Sequence, residues 1–132
     1  MVEKKVMQMF FKNCPGALAE HATILREPWP GKSWKLHRLD TYINTAGATS
    51  CELVIGKNPD SISAWPAAPS DQVLKGWFYN HHNCDIEYSN RSYDPKEPIE
   101  FSKDDILQGY FFNQATTAAM WEVYITYEIL SK

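Results

Sequence analysis

The final segment of the chain, residues 121–130, alternates apolar and more polar side chains with a period of two. Because successive side chains of a β-strand point to opposite faces, this period places Trp121, Val123, Ile125 and Tyr127 on one face. A helical period would scatter the same residues around an axis, and the β-branched and aromatic content also favours a strand. The segment therefore predicts a terminal strand with one face in a hydrophobic core.

Turn-forming residues divide the rest of the chain into short segments, at pairs such as Pro15-Gly16, Asn58-Pro59 and Asp94-Pro95. The segments between the turns are about 6 to 15 residues long, which is typical of all-β sandwiches and barrels. We expect further strands over residues 2–11, 18–27, 33–43, 50–56, 72–80, 84–89, 98–102 and 106–113.

One of these segments, residues 18–27, fits two patterns. Leu18, Ala22 and Leu25 share a helical face, but apolar and polar side chains also alternate along the segment. We favour a strand because Pro28 follows directly and the surrounding pattern is β.

Two local irregularities are also predicted. Along the third expected strand, Trp34 and Leu36 share a face but Leu39 breaks the alternation, which indicates a β-bulge near Arg38. Residues 102–105 carry the Ser-x-x-Asp pattern of a helix cap. Strand-like residues follow this pattern, so we expect a turn there rather than a helix.

Length and composition are consistent with one folded domain. The chain has 132 residues, a formal net charge of −3 and 18 aromatic residues, which supply apolar area for a core. We predict an all-β fold, a single-domain antiparallel β-sandwich of jelly-roll type over residues 1–132, with eight or nine strands and little helix. A closed barrel is the alternative architecture.

Several functional classes lack their usual signals. No apolar run approaches the roughly 18 residues that a membrane helix needs, and residues 1–11 do not have the pattern of a secretory signal. The longest basic cluster is the pair Lys4-Lys5, so the electrostatic footprint of nucleic-acid binding is missing. We therefore expect neither a membrane nor a nucleic acid as partner.

The densest polar cluster is His81-His82-Asn83-Cys84-Asp85. These residue types are metal ligands, but adjacent residues of a strand point to opposite faces and no His-x-His pair exists, so we predict a polar turn. No nucleophile motif or phosphate-binding loop is present either. We expect no enzyme activity and no catalytic, metal or cofactor-binding residues; a cupin-type metal enzyme is a minor alternative.

The chain has three cysteines, Cys14, Cys51 and Cys84. An odd number, with no Cys-x-x-Cys pair and no secretory signal, argues against a disulfide framework. Free cysteines are usually buried, and we expect buried or half-buried thiols here.

Aromatic residues near prolines are candidates for contacts with a partner. Trp29 and Trp65 lie beside prolines in expected loops, while Trp77 and Tyr79 belong to a Gly-Trp-Phe-Tyr run. Trp and Tyr are enriched at the energetic centres of protein interfaces, so we predict these four as interface residues of a homo-oligomer or of a contact with other coat proteins. The same rings could instead stack on sugars, as in a carbohydrate-binding module or adhesin.

Several short segments resemble a known class of protein. They are Gly31-Lys32-Ser33-Trp34 followed by Arg38-Leu39, a small-residue hairpin at residues 45–49, an acidic turn and strand over residues 104–113, and an aromatic strand over residues 121–128. Together, across residues 31–55 and 99–129, they resemble small viral, phage-like structural proteins in which one β-sandwich serves as a capsid or cement subunit. The resemblance implies an assembling virion component, made in the host cytoplasm without a signal peptide.

Overall fold

The computed structural model describes residues 5–14, 19–45, 51–59, 76–83, 88–113 and 118–130. In chain order its strands are β1 (Lys5–Cys14), β2 (Ala19–Arg26), β3 (Trp34–Thr45), β4 (Cys51–Lys57), β5 (Trp77–Asn83), β6 (Tyr88–Tyr93), β7 (Ile99–Phe101), β8 (Ile106–Asn113) and β9 (Ala119–Ile129). Helices are absent from these ranges, and none that could cross a membrane is found in them. The predicted all-β class is confirmed.

The strands form two antiparallel sheets. Sheet I has the order β1-β9-β3-β6, with the short β7 paired to the first part of β3, and sheet II has the order β2-β8-β4-β5. Along the chain, β1 pairs with β9, β2 with β8, β3 with β6 and β4 with β5. This nested set of pairs, divided between two sheets, is the predicted jelly-roll arrangement rather than the alternative closed barrel.

The residues of β9 that face the core are the ones that the sequence predicts. β9 lies between β1 and β3 in sheet I, where Trp121, Val123 and Ile125 are fully buried and Tyr127 is nearly so. The Trp121 ring stacks on Phe111 of sheet II, with 5.6 Å between ring centroids. The core therefore forms where β9 faces sheet II.

The predicted bulge is present in β3, where the pairing with β9 shifts register between Leu36 and Arg38. The shift allows Trp34, Leu36 and Leu39 all to be fully buried, although strict alternation would send Leu39 to the opposite face. The Trp34 ring also stacks on Phe101 of β7, at 4.1 Å between centroids. The bulge therefore keeps apolar residues in the core along the whole strand.

The observed strand boundaries agree with the predicted ones over most of the described residues. Residues 19–26 form a strand, β2, rather than a helix. The exception is the region where we expect a polar turn at residues 81–85, followed by a strand at 84–89. In the structure β5 continues through His81 to Asn83, residues 84–87 lie outside the described residues, and β6 spans Tyr88–Tyr93. His81 lies inside the sandwich and is buried. The fold tolerates a polar ring there because two hydroxyl groups form hydrogen bonds with its nitrogens. The polar composition of this segment therefore concealed a strand.

A second buried cluster lies on the face of sheet II that points away from the main core. Val54 of β4 and Tyr110 of β8 are almost fully buried there, and Trp77 and Phe112 pack against them. In β4 the alternating residues Cys51, Leu53 and Ile55 face the main core, as their spacing predicts, but every residue from Cys51 to Gly56 is buried. Both faces of β4 are therefore covered.

The turn predicted at residues 102–105 is formed and is held by one carboxylate. The backbone N–H of Ser102 donates to Asp105 Oδ2 at 2.8 Å, and the amide of Asn58 donates to Asp105 Oδ1 at 2.6 Å. Partial burial by itself raises the pKa of Asp105, but these hydrogen bonds and the charge of Lys57 outweigh it and lower the pKa below its usual value.

This carboxylate predicts a measurable acid sensitivity. A depressed folded-state pKa contributes stability above the unfolded-state value of about 3.9, and this contribution is lost as the pH falls through the folded-state pKa. We expect the free energy of unfolding to fall between about pH 5 and pH 2, and Asp105→Asn to reduce that dependence. Urea titrations across this range measure it, with exposed Asp104→Asn as the control. An equal flattening in both variants would contradict the prediction.

Candidate interaction surfaces

The outer face of sheet I carries apolar and aromatic side chains across four strands. Phe11 of β1 lies level with Glu122 of β9 and Tyr42 of β3, and Met9 lies level with Tyr124. These pairs share the face opposite the core because their neighbours along each strand point inward. The face thus combines thioether, phenyl and phenol groups in adjacent positions.

Three tyrosines form a cluster at the centre of this face, which we call the tyrosine cluster: Tyr42, Tyr88 and Tyr124. The Tyr42 ring meets the edge of Tyr124 at 5.5 Å between centroids and an interplanar angle of 80°, and lies 6.0 Å from Tyr88 at 40°. The Tyr124 hydroxyl donates to Glu122 at 3.0 Å, and this bond raises the pKa of Tyr124. The rings therefore make a ridged surface with a carboxylate at its side.

The same outer face includes a charged group near the end of β6. Arg38 donates twice to Asp40, at 3.0 Å each, and once to Asp94 at 2.6 Å, while Ser92 also donates to Asp40. Burial alone raises the pKa of Asp40, but the hydrogen bonds from Arg38 and Ser92 lower it below its usual value. The guanidinium offsets one of the two carboxylates, so this corner keeps a net charge of −1.

A buried polar network joins the two sheets. Thr41 of β3 lies between Tyr79 and His81 of β5, hydrogen-bonded to the Tyr79 hydroxyl and, at 2.8 Å, to His81 Nδ1. The other ring nitrogen of His81 is hydrogen-bonded to Ser89 of β6 at 3.0 Å. Burial raises the pKa of the Tyr79 phenol to about 12. Because a hydroxyl lies within hydrogen-bond distance of each ring nitrogen, the network ties β3 and β6 to β5.

The four predicted interface residues lie in different environments. Trp29, in the turn after β2, is 59% exposed. Trp77 is half-buried against the second cluster on sheet II, and Tyr79 is only 5% exposed, in the core. Trp65 lies outside the described residues. The structure thus places Trp29 on the surface and gives Tyr79 a role inside the subunit.

Sequence reasoning did not identify three exposed apolar residues of β1. Met7 is 66% exposed, Met9 53% and Phe11 46%, and all three lie on the outer face of β1. One signal was available, because Val6 and Phe10 alternate with these three, so both faces of the strand are apolar. A strand with two apolar faces needs packing on each face. Within the described residues, only the inner face of β1 packs against other strands, through Phe10.

Two cysteines lie at the end of the sandwich where β1 ends and β4 begins. Both Cys14 and Cys51 are buried, as expected, and the Cys51 thiol donates to the side-chain oxygen of Asn113. Burial, together with the nearby carboxylate of Glu20, raises the pKa of Cys14 to about 12. The thiol is therefore protonated and unreactive at neutral pH. Cys84 lies outside the described residues.

We expect this environment to protect Cys14 from alkylation in the folded protein. Iodoacetamide reacts with thiolates, and neither the charge state nor the access of Cys14 favours reaction at pH 8. Peptide mapping after brief labelling, with and without denaturant, should show modification of Cys14 only in the unfolded sample. Rapid labelling of Cys14 in buffer alone would mean that the end of the sandwich opens easily.

Among the residues that the structure describes, no three or more histidine, cysteine or acidic side chains come together in a way that could hold a metal ion. A shallow cavity of about 270 Å³ is lined by Arg26, Glu27, Lys103 and Asp104, at the ends of β2 and the 102–105 turn. Its walls are charged and exposed. The exposed apolar residues on the outer face of sheet I are therefore the most distinctive surface feature of the described residues.

Comparison with known proteins gives a structural likeness without a sequence relationship. No family model matches the sequence, and no curated protein is significantly similar to it. The Tobacco streak virus coat protein aligns with a TM-score of 0.51 and 12% identity, over 97% of this chain and 88% of that chain. A decameric BFDV capsid protein aligns over 98% of this chain and 99% of that chain, with 8% identity and a TM-score of 0.48. The first likeness shows that this chain has the fold of a viral coat protein.

Proposed function

We propose that this protein is a non-enzymatic virion structural protein, a capsid or capsid-decorating (cement) subunit that acts through assembly. The observation that carries the proposal is the exposed apolar outer face of sheet I, with Met7, Met9 and Phe11 beside the tyrosine cluster. Contiguous exposed apolar surface usually marks an interaction site, because leaving it in water is costly. The fold shared with the Tobacco streak virus coat protein supports the same role.

The mechanism is burial of this apolar surface between copies or against other coat proteins. Stable protein interfaces bury about 1,200–2,000 Å² in total, and aromatic residues and methionine are enriched in them. Trp29 adds a second exposed anchor at a distance along the chain from β1, and Trp65 and Trp77 remain interface candidates. A closed particle needs more than one contact per subunit, so separate patches suit such a component.

The internal polar groups are consistent with a structural role. His81 is 3% exposed and is hydrogen-bonded to Thr41 and Ser89. A general acid or base must reach a substrate proton within hydrogen-bond distance, and this ring has no such access. The network therefore supports a scaffold that joins two sheets rather than a catalytic site.

The alternative, a carbohydrate-binding or adhesin-type module, draws on the tyrosine cluster. Stacking on a sugar needs an exposed ring face, and Tyr88 is 54% exposed. Tyr42, however, stands at 80° to Tyr124 and at 40° to Tyr88, so the rings do not form a flat platform. This geometry favours a protein partner that can interdigitate with a ridged surface.

Sedimentation velocity and negative-stain microscopy of the purified protein test the proposal. We expect species far heavier than the 15.2 kDa chain, and Trp29→Ala should weaken association while leaving the melting temperature within a few degrees. Exposed Lys96→Ala is the control for a surface substitution. A monomer at high concentration that is retained on a polysaccharide gel, with less retention after Tyr88→Ala, would overturn the proposal and support the carbohydrate module.

A further inference from the structure

The two sheets of the sandwich end in strands that differ in how well they are protected from further pairing. β2 has a register shift between Thr23 and Leu25, the pairing of β5 shifts between Ile55 and Gly56, and β6 has only six residues. Bulges and short edge strands hinder the addition of another strand. Two of these edges thus carry a bulge, and the third is shorter than β1.

β1 has none of these features. Its ten residues pair with β9 in one uninterrupted register from Lys5 to Cys14, without proline. Its only charged residues are Lys5 and Lys12, so the six residues between them are uncharged. On the side away from β9, no described strand pairs with it. A long, regular edge with six consecutive uncharged residues is the kind that accepts another strand.

The edge is also firmly held in place. The Phe10 ring packs on Trp121 at 5.1 Å between centroids, and the Tyr127 hydroxyl donates to Gln8 at 3.0 Å. These contacts anchor the inner face of β1 to β9. The strand therefore presents its free backbone groups in a fixed, extended geometry, which lowers the entropy cost of pairing.

We propose that β1 pairs antiparallel with β1 of a second copy of this chain, joining the two sheets I into one continuous sheet. The inference deepens the proposed function, on which it rests, by naming one contact through which copies assemble. A two-fold axis perpendicular to the sheet keeps outer-face residues opposite outer-face residues. Placed near the middle of β1, the axis passes between the Met9 residues of the two copies.

This register favours a second copy as the partner because the strand is complementary to itself. Met9 lies opposite Met9 of the other copy, and Met7 lies opposite Phe11, so the exposed apolar residues meet each other. Each Lys12 lies opposite Val6 and each Lys5 opposite Asn13, so no two like charges are directly opposed, which would be unfavourable. Directly opposed side chains are about 4.5–5.5 Å apart at their Cβ atoms, close enough for these pairs to touch.

Met9→Lys tests the contact at its centre, because the register places the two introduced ammonium groups directly opposite each other. We expect at least a tenfold rise in the dimer dissociation constant, measured by sedimentation equilibrium of the full chain. Thr23→Lys, a change at an exposed residue on the edge strand β2, should leave association unchanged. Circular dichroism and the melting temperature confirm that each variant is folded. Wild-type association in folded Met9→Lys would overturn the inference.

A paired substitution tests the register. Met7→Glu and Phe11→Lys should each weaken the dimer, because each sets one charge opposite an apolar residue. The double variant should recover association, because both new pairs then join opposite charges across the two-fold axis. Failure of the double variant to associate better than either single variant would overturn the register.

Hydrogen exchange separates this inference from the proposed function. The β1 amides that point away from β9 should be protected in the wild type and exchange rapidly in Met9→Lys. Protection that persists in a monomeric Met9→Lys would mean that another segment of the chain covers the edge, which overturns the inference. A wild-type dimer that never forms larger species would uphold β1 pairing and contradict the coat function. Particles that still assemble with Met9→Lys would uphold the coat function and contradict β1 pairing.

Discussion

Ile125→Ala is expected to lower the free energy of unfolding by about 2–5 kcal/mol, the usual range for truncating a buried aliphatic side chain. Ile125 is fully buried at the centre of sheet I, between Gln8 of β1 and Leu39 of β3 in the register. Removal of its side chain loses apolar burial and leaves a cavity that neighbouring strands cannot close. Urea denaturation monitored by tryptophan fluorescence measures the change.

The adjacent residue provides the matched control for this substitution. Thr126 points to the partly exposed outer face, so Thr126→Ala should cost well under half as much. Comparable losses at the two positions would contradict the alternation of β9 on which the core is built. A change in the denaturant slope rather than in the midpoint would indicate an altered unfolded state instead.

Gly56→Ala is expected to destabilise the protein by about 3 kcal/mol, at the upper end of the usual cost of overpacking. A Cβ atom at Gly56 would lie 2.5 Å from the carbonyl oxygen of Gly76. That oxygen accepts a hydrogen bond from the backbone N–H of Lys57 at 2.9 Å. Because the obstacle is backbone, the methyl group can be accommodated only by moving β5 away from β4.

Gly31→Ala is the control, because Gly31 has a φ of +73° but a methyl group at this position would have no other atom within 4 Å. Only the left-handed backbone is then penalised, at about 1 kcal/mol. Thermal and urea unfolding of both variants compare steric clash with backbone strain. If Gly56→Ala costs no more than Gly31→Ala, the close approach of β4 and β5 is looser than the structure shows.

Local pattern accounts for much of the fold. The limits of β8 agree with the predicted residues 106–113, and the β3 bulge follows from the break in phase at Leu39. These features depend on the period of two and on turn residues, both of which act over a few positions. The prediction of a polar turn at His81 was wrong. Its ring is buried in the sandwich, where the hydroxyls of Thr41 and Ser89, which belong to other strands, form hydrogen bonds with it.

The interaction surfaces were harder to predict. Tyr79 has the composition of an interface residue, yet its ring lies in the core and its hydroxyl bonds to Thr41, which is 38 positions away in the sequence. Met9 and Phe11 belong to a predicted strand, but nothing in their order indicates that this strand lies at the edge of a sheet. Position within a sheet depends on which distant segments pair, and this decides what stays exposed.

The order of residues along a strand dictates which side chains point the same way, because alternation is a property of consecutive residues. It therefore predicted the inward face of β9 and the all-β class. Which faces of the strands are covered depends instead on how the two sheets and their neighbouring segments pack. Val54 is buried although it points away from the main core, whereas Met9 on the outer face of β1 is exposed. The reason is that burial depends on the neighbours that the fold brings together, and these come from segments far apart in the chain.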